Sequence, residues 1–553
     1  MAKNKPVYAF EEADSKKRML LGGKGAGLSE MTRLKLPVPP GFTITTEVCN
    51  KYYDNNGKLP KDVMPAVMKN ITKMEKKTGK KWNSTKNPLL VSVRSGAAIS
   101  MPGMMDTILN LGLNEKTVEG FAEQTKNPRF SWDSYRRFIQ LFGKVVFGVN
   151  DEKFDHVLDD AKEKQGVTDD SKLSVESLKS IVSKYKKICE EHTKRKFPDT
   201  PDEQLVLSIE AVFKSWMGER AIVYREKNNI TKDIANGTAV NVVTMVFGNM
   251  GDDSATGVVF TRNGHNGKKE IEGEYLINAQ GEDVVAGVRT GKSIELLKKD
   301  MPKSHKELSN ACAKLEKHFR EPQDIEFTIE QGKFYLLQTR TAKMSAAALV
   351  KTSVDMVKEK LINKDKALTR IPAQQLEALL HRTMDESKIK DFKKLAKGIA
   401  ASPGAASGIV VFDVKKAIEL GDSGKKVILV RKETKPEDVP AFFSSEGILT
   451  SLGGKSSHAA IVSRGMGKPC IVGCPELKID YDNNIGTANG MTIKEGETIT
   501  IDGSEGTVFI GEIPTVEPKV TKDFEQILAW AQKTKTLGIR ANADTPDMAK
   551  LAR

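Results

Sequence analysis

Hydrophobic and polar positions change their spacing along the chain, and the changes predict separate structural units. From Met1 to about Lys343, helical patterns are mixed with alternating ones. This stretch ends in two adjacent segments of period two, Asp324 to Glu330 and Lys333 to Arg340, which predict a pair of strands. Residues 346 to about 390 carry apolar side chains at helical spacing and predict a helical connector. The first unit is therefore expected to be α/β or α+β.

A second unit with a different pattern begins near Ile399 and ends near Ile513. It contains short apolar segments separated by glycine that predict strands, among them Gly408–Phe412, Val427–Val430 and Thr498–Ile501. Beyond a proline-bearing stretch, the spacing predicts a helix around Phe524 to Gln532. Leu537 to Arg540 then predicts one more strand.

The strand pair that closes the first unit concentrates polar groups on one face. Asp324, Glu326 and Thr328 share one face because side chains alternate along a strand, while Ile325 and its apolar neighbours share the other. This face is either an exposed amphipathic hairpin with an Asp–Arg pair, or a platform that holds Mg²⁺ and phosphate.

The register of this hairpin decides which polar groups meet. A three-residue loop over 331–333, with Gly332 in the left-handed conformation, is the expected connection. A two-residue loop would instead place Gln338 opposite Ile325. The three-residue loop makes the cross-strand pairs Glu330 with Phe334, Glu326 with Gln338, and Asp324 with Arg340.

Two basic residues near the N-terminus have surroundings that suit a phosphate. Lys24 lies among four glycines in Leu21–Leu28, which lacks the spacing of a Walker motif and is either a plain turn or a phosphate contact. Arg94, in the apolar segment Val91–Ala97, is expected at the end of a strand, where it would hold a ligand or form a surface salt bridge.

A glycine- and serine-rich stretch, Gly453 to Gly467, contains the strongest local signal. Its two serines can cap a helix, which places His458 in the first helical turn. Free amide groups and the helix dipole favour an anion there, and a neutral imidazole is a competent nucleophile toward phosphorus. The alternative is a histidine with a structural role only.

Composition limits the classes of protein that fit. With 553 residues, 39% of them hydrophobic and 29% charged, the chain is expected to form three or four globular domains. The formal net charge of +14 is interleaved with acidic residues, which favours a solvated surface over a nucleic-acid site. Neither a signal peptide nor an apolar run of membrane-spanning length is present, so export and membrane insertion are not expected.

Five cysteines spread over the chain argue against a disulfide framework and favour a reducing, cytoplasmic setting. Cys470 and Cys474 are interpreted as buried small residues, because no second pair completes a metal site.

The stretch from Gly453 to Gly473 resembles the phosphohistidine motif of the phosphoenolpyruvate-utilising enzymes, and in particular of the pyruvate, phosphate dikinase family. Essentially the whole chain shares the resemblance. Its other matching segments are Leu20–Met31, Val91–Asn114, Ser215–Arg225, Met245–Arg262, Gly273–Arg289 and Asp324–Arg340.

The resemblance implies a fold and a division into domains. It implies an ATP-grasp-like nucleotide-binding domain over 1–343, a helical linker over 344–395, a swivelling phosphohistidine domain over 396–513 and a linker over 514–535. Residues 536–553 would begin a β/α barrel that is cut short. Arg540 matches a residue of that barrel that contacts phosphoenolpyruvate.

The resemblance also implies a set of site residues. His458 would carry the phosphoryl group, and Mg²⁺ would be the cofactor, held by Asp324 and Glu326. The ATP contacts would be Lys24, Arg94, Asp324, Glu326, Gln338 and Arg340. Ser456 stands where plant members have a regulatory threonine.

The implied reaction interconverts ATP, phosphate and pyruvate with AMP, pyrophosphate and phosphoenolpyruvate. Without a complete barrel, the chain is expected to perform only the ATP and phosphate steps. Full-length members of the family are commonly homodimers through the barrel, and the sequence leaves the oligomeric state of this chain open. Two alternatives remain. The first is a phosphoenolpyruvate synthase, which the residues of the Met101 to Asp106 motif disfavour. The second is a stand-alone phosphocarrier that serves a separate barrel protein.

Overall fold

A computed structural model describes residues 4–101, 103–285, 291–379, 383–384, 388–516 and 521–538. The chain begins with a sheet whose neighbouring strands are all antiparallel. Its strands are β1 (Val7–Ala9), β2 (Gly41–Ile44), β3 (Val91–Ala97), β4 (Thr107–Leu111) and β5 (Thr238–Thr244). They lie in the order β1-β2-β5-β3-β4.

Helices surround this sheet, and most of them form one long insertion between β4 and β5. The helices are α1 (Arg18–Arg33), α2 (Thr46–Asp54), α3 (Val63–Thr78), α4 (Glu115–Thr125), α5 (Pro128–Val145), α6 (Glu152–Gln165), α7 (Val175–Thr193), α8 (Pro201–Ser215) and α9 (Glu219–Lys227).

A second antiparallel sheet follows, in the order β10-β9-β6-β7-β8. Its strands are β6 (Ala255–Phe260), β7 (Glu272–Ile277), β8 (Lys292–Ser293), β9 (Gln323–Glu330) and β10 (Lys333–Thr341), and its helices are α10 (Gly281–Val285), α11 (Leu297–Asp300) and α12 (Pro302–Phe319). Ile325, Phe327 and Ile329 are fully buried and share a core with Leu308 and Leu315 of α12. The prediction of an apolar face on β9 is confirmed.

The hairpin β9–β10 corrects the predicted loop but keeps the predicted polar pairs. The loop has two residues, because Glu330 pairs with Lys333 and not with Phe334. Both loop residues, Gln331 and Gly332, have positive φ. A bulge between Leu336 and Gln338 then shifts the register by one residue. The shift restores the predicted pairs Glu326 with Gln338 and Asp324 with Arg340.

The predicted helical connector is divided into short helices. They are α13 (Ala346–Lys358), α14 (Lys364–Thr369) and α15 (Ala373–Ala378), and the short strand β11 (Thr383–Met384) follows them.

The second unit is built on an eight-stranded mixed sheet in the order β12-β22-β21-β14-β15-β16-β17-β13. Strands β14 to β17 are parallel to their neighbours within that group. Its strands are β12 (Lys394–Lys397), β13 (Ile399–Ser402), β14 (Ala405–Val411), β15 (Val427–Arg431), β16 (Gly447–Thr450), β17 (Cys470–Val472), β21 (Thr498–Asp502) and β22 (Thr507–Ile510), and its helices are α16 (Val414–Asp422), α17 (Val439–Ser444) and α18 (His458–Met466). A separate three-stranded sheet contains β18 (Lys478–Asp480), β19 (Ile485–Ala488) and β20 (Met491–Lys494).

The last described elements return to the connector. Strand β23 (Thr515–Val516) pairs with β11, and α19 (Lys522–Thr534) packs Phe524 and Ile527 against α13. The predicted final strand is wrong at Leu537 and Gly538, which are not in a strand, while Ile539 and Arg540 lie outside the described residues.

Two further expectations concern cysteines and membranes. All five cysteines are free and buried, and burial raises the pKa of Cys470 and Cys474 to about 12, so they are not reactive thiolates. Within the described part of the chain, no helix has the length and apolar character needed to cross a membrane.

Candidate active site

The polar face of the hairpin gathers around Glu326. Gln338 Nε2 donates to Glu326 Oε1 at 2.9 Å, and Arg94 Nη2 donates to Glu326 Oε2 at 3.0 Å. Burial alone would raise the pKa of this carboxyl group, but Arg94 and Arg340 outweigh it and lower the pKa. Glu326 is therefore ionised.

The bulge in β10 contributes to this arrangement. Leu337, the extra residue, turns its carbonyl oxygen toward Arg94, whose Nη1 donates to it at 3.3 Å. Arg94 is the fourth residue of the seven in β3, so the prediction that it ends a strand is wrong. It reaches the hairpin from the middle of the first sheet, where it forms a largely buried ion pair rather than a surface salt bridge.

Asp324 and Arg340 form the second pair on this face. Arg340 Nε donates to Asp324 Oδ2 at 2.6 Å, whereas Asp324 Oδ1 is buried and has no hydrogen-bond partner among the described residues. Burial raises the pKa of Asp324, although Arg340 opposes the rise.

The glycine-rich segment near the N-terminus belongs to α1, so its interpretation as a plain turn is wrong. Gly22 interrupts the helix with φ 69° and ψ 165°. A Cβ atom there would lie 1.8 Å from the carbonyl oxygen of Gly96, so only glycine allows α1 to approach β3 this closely. The second part of the helix begins after this kink and carries Lys24 in its first turn.

Lys24 lies among cationic side chains. Burial, with the nearby Arg94 and Arg340 in support and Glu326 in opposition, lowers its pKa to about 7. Its neutral amine form is therefore poised to gain a proton when a negatively charged ligand arrives.

His458 is the first residue of α18, which confirms its predicted place in the first turn of a helix, and it follows the carboxyl end of β16. Ser457 is the N-cap residue but makes no capping hydrogen bond with its side chain. The Nε2 atom of His458 is buried without a partner, as is the Oγ atom of Ser456. Burial lowers the pKa of His458 to about 4, Glu437 opposes the shift and Lys343 supports it, so the imidazole is neutral at pH 7.

A cavity of about 1410 Å³ brings most of these groups together. Its wall contains residues of both units: Lys24, Arg94, Glu326, Gln338 and Arg340 from the first, and Ser456 and His458 from the second. Asp324 is buried and is not among the wall residues. The sequence could not show that the two units meet at one cavity.

Contacts between the two units include residues that sequence reasoning missed. Arg220 Nη1 pairs with Glu437 Oε1 at 3.0 Å, and Lys455 Nζ pairs with Glu272 Oε1 at 2.7 Å. These are ordinary charged residues in the sequence, and no local pattern marks them as partners.

The donor set around the hairpin fits a divalent cation. The described residues contain no group of three or more His, Cys, Asp or Glu side chains that could hold a metal ion alone. Mg²⁺ is typically held by one or two carboxylates together with phosphate oxygens and water, and the unpartnered Asp324 Oδ1 beside ionised Glu326 suits that mode. Arg540 lies outside the described residues.

Two family models match the chain. The model described as "Pyruvate phosphate dikinase, AMP/ATP-binding domain" matches residues 18–63, 56–307 and 301–361. The model described as "PEP-utilising enzyme, mobile domain" matches residues 424–506.

Curated proteins are similar over nearly the whole chain. It is 52% identical over 549 residues to a pyruvate, phosphate dikinase of Entamoeba histolytica, covering 99% of this chain and 62% of that protein. It is 50% identical over 542 residues to the Clostridium symbiosum protein of that name, covering 98% of this chain and 62% of that protein. For pyruvate, phosphate dikinase 1, chloroplastic, of Arabidopsis thaliana, the identity is 46% over 553 residues, covering 99% and 57%.

The chain thus spans about 62% of the length of the first two relatives. The residues matched by the first model include the predicted ATP contacts, and those matched by the second include His458. This chain belongs to the pyruvate, phosphate dikinase family.

Proposed function

We propose that the described residues perform the nucleotide half of the pyruvate, phosphate dikinase reaction. In this half, ATP and phosphate become AMP and pyrophosphate, and one phosphoryl group remains on His458. The observation that carries the proposal is the shared cavity, because His458 and five of the six predicted ATP contacts line it. A histidine with only a structural role does not require a wall this rich in basic side chains, among them Lys24, Arg94 and Arg340.

The chemistry consists of two displacements at phosphorus. A lone pair on the neutral imidazole of His458 forms a bond to the β-phosphorus of ATP, and the bond from that phosphorus to the α–β bridging oxygen breaks. AMP leaves with the electron pair. An oxygen of inorganic phosphate then forms a bond to the γ-phosphorus, and the bond from that phosphorus to the β–γ bridging oxygen breaks. The attacking phosphate and the γ-phosphoryl group depart together as pyrophosphate, while the bridging oxygen keeps the electron pair and stays on the β-phosphoryl group bound to His458.

The residues of the cavity supply what these displacements need. The low pKa of His458 keeps its nitrogen lone pair available at pH 7. Lys24, Arg94 and Arg340 place positive charge where negative charge develops on the phosphoryl oxygens, and Gln338 orients Glu326. Bound Mg²⁺, held by Asp324 and Glu326, would neutralise charge on the phosphates.

The remaining part of the proposal concerns pyruvate. Phospho-His458 would pass its phosphoryl group to pyruvate at a second site, to give phosphoenolpyruvate, and Arg540 would contact that product. Movement of a swivelling domain over 396–513 about the segments 344–395 and 514–535 would connect that site with an ATP-grasp-like domain over 1–343. Residues 536–553 would belong to the barrel that forms the second site, in a cytoplasmic, homodimeric full-length enzyme.

The experiment is a single-turnover labelling of the chain with Mg²⁺ and ATP labelled separately at the β and γ positions, with and without phosphate. We expect both labels on the protein without phosphate, and only the β label after phosphate has released the γ label as pyrophosphate. His458→Ala should abolish labelling. His192→Ala, at the end of α7, is the matched control and should be labelled like the wild type.

Two results would contradict the proposal. Equal labelling of His458→Ala would remove the phosphohistidine. Release of the γ label as orthophosphate, whether or not phosphate is added, would instead identify a phosphoenolpyruvate synthase.

A further inference from the structure

Two basic side chains reach across the contact between the two units, and each lies against a glycine of the other unit. Lys343 follows β10, and its Nζ lies 2.9 Å from the position that a Cβ atom on Gly465 would occupy. Its Cδ and Cε atoms lie 3.0 and 3.4 Å from the same position. The missing side chain of Gly465 therefore leaves the space in which the Lys343 side chain rests on α18.

The neighbouring residue of α18 makes the reverse contact. Arg464 Nη1 lies 3.4 Å from the position of a Cβ atom on Gly264, and the Arg464 guanidinium lies 5.4 Å from the centre of the Phe260 ring. Arg464 also donates from Nε and Nη2 to the carbonyl oxygen of Ala401, within its own unit. Each unit thus extends one long cationic side chain over a glycine of the other.

Lys343 has no obvious structural partner. Within the described ranges its ammonium group makes no hydrogen bond and no ion pair within 4.0 Å. Burial lowers its pKa, the nearby Arg340 lowers it further, and Asp324 opposes both. Lys343 is half-buried, and among the described residues its ammonium group lies unpaired at a contact between the two units.

The position of Lys343 connects the two halves of the site. It lies two residues beyond the end of β10, the strand that supplies Gln338 and Arg340. On the other side it contacts Gly465, seven residues after His458, which places both on the same face of α18. It is not among the residues of the cavity wall.

We propose that Lys343 is a positioning residue for phosphoryl transfer: seated on Gly465, it sets α18, and with it His458, against the hairpin that holds the nucleotide. The inference rests on the proposed function, because it needs His458 to accept a phosphoryl group. This role requires the space that Gly465 leaves for the lysine side chain, and it requires the positive charge of Lys343 near Asp324 and Arg340. Displacing a reacting group by about 1 Å can lower a rate on the order of 100-fold.

The test is a double-mutant cycle read by the single-turnover rate of His458 labelling from β-labelled ATP. Lys343→Met removes the ammonium group and keeps most of the stem. Gly465→Ala adds a methyl group that pushes the lysine away, and it favours the helix because alanine is a better helix former than glycine. Lys333→Met, at the other end of the same hairpin strand, is the matched control.

We expect each single substitution to slow labelling about 10- to 100-fold, with the dissociation constant for ATP unchanged within about twofold. The double variant should be no slower than Lys343→Met, because the ammonium group that the methyl group at 465 would displace is already absent. Lys333→Met should be labelled at the wild-type rate. A merely structural role would change the melting temperature or ATP binding instead.

Three outcomes overturn the inference while leaving the proposed function intact. They are wild-type labelling in Lys343→Met, multiplication of the two single effects in the double variant, and a loss of rate that saturating ATP restores. If the wild-type chain itself is not labelled at His458, the proposed function fails, and the inference that rests on it fails as well.

Discussion

Lys24 should take up a proton when the magnesium complex of ATP binds. With its pKa held at about 7, by burial first and by the nearby guanidinium groups second, about nine-tenths of the Lys24 side chains are neutral at pH 8 and about half at pH 7. The ligand brings several negative charges next to this amine, which raises its pKa well above the pH. Binding should therefore consume about 0.9 proton at pH 8, about 0.5 at pH 7 and about 0.1 at pH 6.

Isothermal titration calorimetry measures this uptake. The observed binding enthalpy is compared between buffers of different ionisation enthalpy, and its slope gives the number of protons exchanged. The ligand is an ATP analogue with a methylene bridge between the α- and β-phosphorus, which binds without transfer. Phosphate buffer is avoided because phosphate is a proposed substrate.

Lys24→Arg is the matched variant, because a guanidinium group keeps the charge but does not titrate in this range. Its binding enthalpy should be independent of the buffer at all three pH values. Proton uptake that is absent in the wild type, that rises as the pH falls, or that persists in Lys24→Arg would refute the reasoning about this buried amine.

Three other predictions follow from the same structure. Gly22→Ala should lower the free energy of unfolding, measured by urea titration, by about 3 kcal/mol or more, because its Cβ would strike the Gly96 carbonyl oxygen. Gly79 also has a positive φ of +71° but faces open space, so Gly79→Ala should lower the free energy of unfolding by only about 1 kcal/mol. The labelling rate of His458 should stay level from pH 8 to about pH 5.5, because its pKa of about 4 lies below this range. An ordinary imidazole would lose about nine-tenths of its neutral form at pH 5.5. A matching fall in rate would contradict the low pKa of His458. Asp324→Asn should raise the Mg²⁺ concentration for half-maximal labelling about tenfold or more, and an unchanged Mg²⁺ dependence would remove Asp324 from the metal site.

Local patterns in the sequence were sufficient for several elements. The alternation in Asp324–Glu330 predicted a strand with one buried face, and the structure buries Ile325, Phe327 and Ile329. The Gly-Gly and Ser-Ser pairs before His458 predicted a helix start, and α18 begins at His458 itself. Such signals depend on neighbouring residues only, which is why they can be interpreted without a tertiary structure.

The hairpin register shows where local reasoning fails. The expected three-residue loop was wrong, yet two of the pairs it predicted were right, because a bulge at Leu337 offsets the shorter loop by one residue. Leu337 is an ordinary strand residue in the sequence, and nothing next to it marks the bulge. Its position is favoured by a distant partner, since Arg94 on another sheet donates to the Leu337 carbonyl oxygen.

The sequence by itself determined the residue types, the two units and the placement of His458 at a helix start, because these depend on local spacing and chemistry. Only the tertiary structure decided that Lys24, Arg94 and His458 share one cavity, that Gly22 is required by the carbonyl group of Gly96, and that Lys343 rests on Gly465. It also decided the charge states, because the low pKa values of Lys24 and His458 arise from burial by distant segments. Burial and close approach are properties of packing between residues far apart in the chain, and no local pattern encodes them.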